Sequence, residues 1–197
     1  MLFTPRIQEA INLCARLHNG QIRKDIHATP YVSHLFSVML ILHEFTDDED
    51  ILIAGLMHDT LEDVPGYSYE KLIEDTNERV AQIVKGVSEE LNPNIDPDMQ
   101  LPWLKRKEDY LKNLHEGSIE SVYVSLADKT HNIMSILLAV REENTDHLKK
   151  FHGSIKNMIW FFEEMEKIAT ERVPSDNLLL QKMSNSLNEL KSKINFN

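Results

Sequence analysis

The stretch Leu52–Asp63 joins an apolar run to four side chains that can do chemistry. The run ends in the pair His58-Asp59, and Glu62 and Asp63 follow within four residues. If the stretch is one helix, His58 lies one turn before Glu62 on the same face, and the same spacing relates Asp59 to Asp63. Buried imidazoles and carboxylates are costly unless they are paired or bind a metal. The stretch is therefore predicted to be a core helix with a chemical site at its C-terminal end.

Two other segments carry side chains of the same kind. His34 lies on a predicted helix that follows Thr29-Pro30, and Asp128 lies in the middle of another, with His131 and Asn132 three and four residues later. The combined set has two imidazoles and two carboxylates from three helices: His34, His58, Asp59 and Asp128. Ligation by nitrogen and oxygen without thiolate suits Mn²⁺, Fe²⁺ or Zn²⁺, and the share of oxygen favours Mn²⁺. A metal with open positions can acidify a water molecule and neutralise phosphate charge.

Composition places the chain among globular proteins of one domain. It has 197 residues, of which 42% are apolar and 27% charged. Cys14 is the single cysteine, which excludes a disulfide framework and a thiolate metal cage and fits a reducing, cytoplasmic location. No secretion signal is predicted, and the longest apolar run, Ile51–Met57, is too short to cross a bilayer.

The charge balance limits the classes of partner. The formal net charge is −11, which argues against nucleic-acid binding, because that binding depends on neutralising phosphates with lysine and arginine. An anionic small molecule would also be repelled by the protein as a whole. It would need a local cation, and the predicted metal site supplies one.

Helical periodicity predicts an all-α fold without a useful strand pattern or internal repeat. The expected organisation is a helical bundle over residues 1–172, followed by a helical extension over residues 173–197. Leu91–Pro102 contains three prolines and is predicted to be a loop. The last helix, Asn177–Ile194, is expected to pack on the outside of the bundle or on a second subunit, which leaves a homodimer open.

Together, these residues resemble a known superfamily. His34, His58-Asp59 and Asp128 match the H…HD…D order of the HD-domain metal-dependent phosphohydrolases. Four ordered segments are similar to the hydrolase domain of Rel/Spo-type alarmone enzymes, and most similar to its small standalone versions: Arg23-Lys24, Thr29–His34, His58–Asp63 and Leu126–Asn132. The similarity spans roughly residues 1–170 on a comparison of motifs and helix order.

This resemblance implies an enzyme of the stringent response that removes the 3′-diphosphate of (p)ppGpp, usually with Mn²⁺, and so a nucleotide as its small-molecule partner. The implied metal ligands are His34, His58, Asp59 and Asp128. Glu62 and Asp63 match the acidic pair that activates or orients the attacking water. Arg23 and Lys24 match residues that hold the guanine and neighbouring groups, and Asn132 matches an asparagine that contacts the nucleotide. Leu35, Thr130 and the connector Asp25–Ala28 depart from the usual family residues.

Several alternatives stay open at this point. The chain can be an HD-type phosphomonoesterase or phosphodiesterase acting on another nucleotide, or a nucleotide-binding module without turnover. The basic run Lys105–Lys107 is interpreted as a solvated face. The alternative is that it attracts phosphate groups of a substrate beside the 91–102 loop. Met158–Met165 is predicted to be core. The histidines outside the motifs are predicted to be surface or capping residues: His18, His27, His43, His115, His147 and His152.

Overall fold

The computed structural model describes residues 3–23, 25, 27–89, 101–141 and 155–194. Within these ranges the regular structure is helical, and the single β contact is an isolated bridge between Ile22 and Pro30. The helices, in chain order, are α1 (Pro5–Leu17), α2 (Val32–His43), α3 (Glu49–Met57), α4 (Thr60–Asp63), α5 (Tyr69–Asp75), α6 (Glu78–Lys85), α7 (Trp103–Glu116), α8 (Ile119–Arg141), α9 (Ile155–Arg172) and α10 (Leu178–Lys193). The predicted all-α class is confirmed.

Short polar side chains begin several of these helices. The Thr4 hydroxyl accepts a hydrogen bond from the Ile7 N–H at 3.2 Å, with Pro5 in the first turn. The Asn177 side chain accepts from Leu180 N–H at 3.0 Å and starts α10. Each cap satisfies a backbone donor that has no partner inside its own helix.

The long helix α8 runs through the centre of the bundle and contacts α2, α3, α6, α9 and α10. Its inner residues are buried among the side chains of these neighbours, and Met158, Phe161 and Met165 of α9 are buried as well, so the prediction that Met158–Met165 is core is confirmed. Helix α10 packs on α8 and α9 and adds Leu187 and Leu190 to the same core. No helix among the described residues is both long enough and apolar enough to span a bilayer.

The structure differs from the prediction of one continuous helix through Asp63. Helix α3 ends at Met57, and α4 begins at Thr60 after a turn at His58-Asp59. The cause is local: the His58 imidazole lies 2.9 Å from the Gly55 carbonyl, the acceptor that a continuing helix would offer to the N–H of Asp59. The turn frees this pair from the helical surface and places it at the end of α3.

Gly55 sets how closely α3 approaches α2. A Cβ added at this position would lie 2.5 Å from Leu42 Cδ1, in a part of the core where Leu42 is almost fully buried. Because Gly55 has no side chain, the two helices can cross closely. This crossing brings the C-terminal end of α3 beside His34 on α2.

A polar cluster at the other end of α3 joins three helices. Asp48 caps α3 and also accepts from Arg79 of α6 at 2.8 Å. Asp50 accepts from Asn77 at 2.9 Å and forms an ion pair with Arg6 of α1. Burial alone would raise the pKa of Asp50, but the hydrogen bonds from Asn77 and Arg6 outweigh burial and lower it.

We expect Asp50→Asn to lower the free energy of unfolding at pH 7 by about 1–3 kcal/mol, because three hydrogen bonds to a charged acceptor are weakened, from Arg6, Asn77 and Arg79. Since folding lowers the pKa of Asp50, its contribution is present at neutral pH and is lost as the pH falls through its folded-state pKa. Urea denaturation of wild type and variant at pH 7 and at lower pH measures both effects. The exposed Asp47→Asn in the same turn is the control. A wild-type advantage that stays constant down to pH 3 would contradict this account.

Candidate metal centre

Two helices and one turn bring the predicted ligands together. His34 lies on α2, His58 and Asp59 on the turn after α3, and Asp128 on α8. Ligand atoms of His34, His58 and Asp59 all lie within 4.8 Å of one another. Asp128 Oδ1 lies 3.2 Å from His34 Nε2 and 3.7 Å from His58 Nε2. All four predicted ligands thus converge on one point, with both histidines and Asp128 buried.

The hydrogen bonding of His58 shows that the cluster of predicted ligands requires a cation. A backbone carbonyl can only accept, so His58 Nδ1 carries the proton that is shared with the Gly55 carbonyl. The buried Nε2 has no hydrogen-bond partner, and in the neutral ring it presents a lone pair. Asp59 Oδ2 lies 3.2 Å from this nitrogen. A lone pair facing carboxylate oxygens is unfavourable without a cation between them.

A proton on His58 can serve as this cation in the absence of metal. Burial disfavours the charged ring, but the negative charges of Asp59 and Asp128 outweigh burial and raise the His58 pKa well above its usual range. A divalent ion would satisfy the same atoms, together with the carboxylates. The donor set of two imidazole nitrogens and two carboxylate groups therefore fits a divalent metal, as expected for an HD-type hydrolase.

Neighbouring side chains hold the two carboxylates in position. The Tyr31 hydroxyl donates to Asp59 Oδ2 at 2.6 Å. Asn132 Nδ2 donates to Asp128 Oδ1 at 2.6 Å, and Lys129 forms an ion pair with Oδ2 of the same carboxylate. Such contacts fix the orientation of a ligand carboxylate.

Lys129 lies in a pocket of aromatic rings. Its Nζ is 4.8 Å from the centre of the Tyr110 ring and 5.6 Å from that of Phe161. Burial would lower the pKa of Lys129, but the adjacent Asp128 carboxylate raises it. The lysine is therefore charged at neutral pH and lies beside the candidate metal centre.

Glu62 lies next to this centre, in surroundings that favour the protonated form of its carboxyl group. Burial raises the pKa of Glu62 to about 8, and the charges of Asp59 and Glu89 act in the same direction. Its Oε1 accepts from the Glu89 N–H at 2.7 Å. A carboxyl group that titrates near neutral pH is suited to exchanging a proton with a reacting group. Asp63 is exposed, and its carbonyl accepts from Gln21 Nε2 at 2.7 Å.

The structure changes the interpretation of the basic run Lys105–Lys107. Lys105 lies on the surface beside Asp109, at 2.6 Å. Arg106 and Lys107, in contrast, both pair with the Glu89 carboxylate, whose side chain is only 7% exposed. The prediction of a solvated face is therefore wrong for these two side chains, which anchor the residue that contacts Glu62.

Arg23 lies near the rim of the cluster. Its guanidinium donates to Asn132 Oδ1 at 3.2 Å and lies 5.7 Å from the centre of the Tyr31 ring. A short antiparallel contact holds Arg23 there, since its N–H donates to the Thr29 carbonyl at 2.8 Å. The predicted substrate residues Arg23 and Asn132 are thus together, while Lys24 and most of the 91–102 loop lie outside the described residues.

Sequence reasoning missed several contributors to this site. His18 was expected at the surface or at a helix cap. It is the C-cap residue of α1, but it is only 2% exposed, and its ring stacks on that of Tyr31 with the ring centres 5.7 Å apart. His131 was noted only for its spacing from Asp128, yet its Nδ1 lies 2.7 Å from His34 Nδ1. Burial, then the charges of His34 and Arg23, lower the pKa of His131 to about 3. The i+3 spacing from Asp128 was the one available signal for His131.

Comparison with known proteins identifies the family. The family model described as HD domain matches residues 10–157 of this chain, which is well over half of it. The chain therefore belongs to the HD-domain family.

Curated relatives share its sequence over most of the chain. The zebrafish (Danio rerio) protein named guanosine-3′,5′-bis(diphosphate) 3′-pyrophosphohydrolase MESH1 is 33% identical over 136 residues, covering 68% of this chain and 70% of that protein. Human MESH1 is 30% identical over 144 residues, covering 72% of this chain and 75% of that protein. The bifunctional (p)ppGpp synthase/hydrolase SpoT of Escherichia coli is 30% identical over 137 residues, which cover 66% of this chain but 18% of that much longer protein.

Solved structures share the fold. The structure of a metazoan ortholog of SpoT, described as hydrolysing ppGpp, superposes with a TM-score of 0.71 and 25% identity, covering 98% of this chain and 97% of that one. A protein from Listeria monocytogenes superposes with a TM-score of 0.67 and 20% identity, and this likeness concerns the fold alone.

We expect Tyr31→Phe to weaken Mn²⁺ binding about 10- to 100-fold, the usual cost of losing a side chain that orients a ligand. The reason is the loss of the 2.6 Å bond to Asp59, while the ring and its packing are kept. Calorimetric titration with Mn²⁺ measures the change. Tyr67→Phe is the matched control, because Tyr67 donates to Asp75 at 2.8 Å on the exposed surface. Equal Mn²⁺ affinities for the two variants would show that the Tyr31 hydroxyl does not support the site.

Proposed function

We propose that this protein hydrolyses the 3′-diphosphate of guanosine 3′,5′-polyphosphates, converting (p)ppGpp to GDP or GTP and pyrophosphate. One observation carries the proposal: His34, His58 and Asp59 form one cluster, Asp128 lies against both histidines, and His58 Nε2 has no hydrogen-bond partner. The chain matches 70% and 75% of two relatives named for this activity. The HD-domain family includes hydrolases of other phosphate esters, and the substrate is therefore part of the proposal.

The proposed metal ligands are His34, His58, Asp59 and Asp128. We propose Mn²⁺ as the ion, with Fe²⁺ and Zn²⁺ as alternatives, since mixed nitrogen and oxygen ligation suits all three and the carboxylate share favours manganese. When bound, the ion would acidify a water molecule and neutralise phosphate charge.

The remaining chemistry belongs to residues of the chain. Water adds to the phosphorus of the 3′-phosphate, the bond from that phosphorus to the ribose 3′ oxygen breaks, and this oxygen takes up a proton. Glu62 is the group that we propose exchanges a proton with the attacking water. Its position and its pKa of about 8 support this role. Asp63 is the proposed second member of the acidic pair and would orient the water.

Cationic side chains are proposed to hold the nucleotide. Arg23, with Lys24, is proposed to contact the guanine and neighbouring groups, and Asn132 the nucleotide. The hydrogen bond between Arg23 and Asn132 supports a shared role, because it places a guanidinium beside the candidate centre. The Lys129 charge, beside Asp128, adds local positive potential in a protein with a net charge of −11.

Two further expectations belong to this proposal. We propose a cytoplasmic location, supported by a single cysteine, Cys14, which is buried. We also propose a homodimer that uses the outer side of α10, where Leu178 is 62% exposed. Light scattering on the purified protein tests the dimer.

Mass spectrometry of the products formed from (p)ppGpp with added Mn²⁺ tests the activity directly. Pyrophosphate together with GDP or GTP is the expected result. The same assay on the adenine analogue, nucleoside monophosphates and cyclic dinucleotides separates this function from the other HD-type reactions. Binding of (p)ppGpp with no product from any of these compounds would instead indicate a binding module without turnover.

We expect Asp59→Asn to lower both Mn²⁺ affinity and kcat/KM by at least about 100-fold, because it removes the charge of a proposed ligand. Bound manganese after gel filtration and initial rates with ppGpp measure these losses. The exposed Asp176→Asn makes the same chemical change away from the site and should match wild type. Full metal content and full activity in Asp59→Asn would refute the proposed centre.

Glu62→Gln should separate proton transfer from metal binding. The amide oxygen can still accept from the Glu89 N–H, so the fold and the Mn²⁺ affinity should be kept. The amide cannot exchange a proton as the carboxyl does, so kcat should fall about 10²- to 10⁴-fold. Steady-state kinetics beside a Mn²⁺ titration measures the two effects, and a wild-type kcat would remove Glu62 from the mechanism.

A further inference from the structure

The His34 imidazole is buried between the candidate metal centre and a second histidine. It is 1% exposed, and its two nitrogens point in different directions. Nε2 faces the cluster, at 3.2 Å from Asp128 Oδ1 and 3.6 Å from Asp59 Oδ2. Nδ1 lies 2.7 Å from His131 Nδ1. The tautomer of His34 is therefore decided by these two contacts.

Metal binding requires one of the two tautomers. A ligand nitrogen donates its lone pair, so Nε2 of a metal-bound His34 carries no proton and Nδ1 does. That Nδ1–H needs an acceptor, because an unpaired buried donor costs about 1–3 kcal/mol. His131 Nδ1 is the atom placed to accept it.

We infer that His131 is a positioning residue that sets the His34 tautomer for metal binding, an inference that rests on the proposed metal site. In the metal-free protein, His34 Nε2–H donates to Asp128, and His131 Nδ1–H donates to His34 Nδ1. When Nε2 becomes a ligand, the proton on His34 moves to Nδ1, and His131 changes from donor to acceptor. A neutral imidazole can do both, because its proton can reside on either nitrogen.

The surroundings of His131 allow this change of role. Its ring is partly exposed and lines a groove of about 570 Å³ between α2, α8 and α10. Ser37, Glu44 and Ser135 line the same groove. The ring therefore borders open space, in which a proton on Nε2 can be solvated. Because the ring borders this groove, a smaller side chain at the position leaves open space and not an enclosed cavity in the core.

Two variants separate this role from simple packing. His131→Ala removes both donor and acceptor at the Nδ1 position. His131→Asn keeps them, because an asparagine amide places an oxygen or a nitrogen close to where Nδ1 lies and can turn to present either one. The exposed His115→Ala is the matched control, since this histidine pairs with Glu171 on the surface at 3.4 Å.

Mn²⁺ dissociation constants for the four proteins, from the electron paramagnetic resonance signal of free manganese, provide the first test. We expect His131→Ala to bind about 10- to 100-fold more weakly than wild type, His131→Asn to recover most of this loss, and His115→Ala to match wild type. Thermal unfolding of the metal-free proteins checks that each variant is folded. Proton–nitrogen NMR correlation with diamagnetic Zn²⁺ bound gives the second readout: His34 protonated at Nδ1 in wild type and in His131→Asn.

The outcomes distinguish this inference from the proposed function. If wild type binds Mn²⁺ and hydrolyses (p)ppGpp while His131→Ala binds Mn²⁺ equally well, the inference is wrong and the function stands. If both His131 variants lose affinity equally, His131 acts through packing and the inference is also wrong. If wild type binds no divalent metal, the proposed centre and the inference fall together.

Discussion

The arrangement around His58 depends on one electrostatic constraint. A buried imidazole lone pair faces buried carboxylate oxygens, and such an arrangement is stable only with positive charge between them. The Gly55 carbonyl creates the constraint, because it accepts a hydrogen bond from His58 Nδ1–H and leaves Nε2 directed at Asp59 and Asp128. The same hydrogen bond ends α3, so one contact both shapes the backbone and prepares the ligand.

The bundle around this point keeps the charges in place. Helix α8 supplies Asp128 from the middle of a long buried segment, where Lys129 and Asn132 each hold one of its carboxylate oxygens. Helices α2 and α3 cross closely at Gly55, which brings the two histidine rings to a centroid distance of 5.2 Å. At the opposite end of α3, the ion pairs of Asp48 and Asp50 join it to α1 and α6. The helix that ends in the site is thus fixed at both ends.

A second set of contacts connects the site with the outer helix α7. Glu89 donates its backbone N–H to Glu62 and offers its carboxylate to Arg106 and Lys107. The negative charge of Glu89 helps to keep a proton on Glu62, while the cations of α7 keep Glu89 ionised by lowering its pKa against the effect of burial. Residues that do not touch the metal centre therefore add to the effect of burial and of Asp59 on the proton affinity of Glu62.

Much of this protein was determined by local sequence. Apolar periodicity predicts helices that the structure contains, and the side chains of Thr4, Ser68 and Asn177 cap three of them, because these signals act over four residues or fewer. The order of His34, His58-Asp59 and Asp128 indicated the family and predicted one shared site, which the observed convergence of these residues matches.

Only the tertiary structure decided how this site is supported. The contacts of Tyr31 with Asp59, His34 with His131, and Arg106 with Glu89 join residues 28, 97 and 17 positions apart. No periodic pattern links positions so distant, and the break at His58 arises from a side-chain hydrogen bond that competes with the helix. The sequence thus determined which atoms could bind a metal, and packing of the helices determined their tautomers, charges and partners.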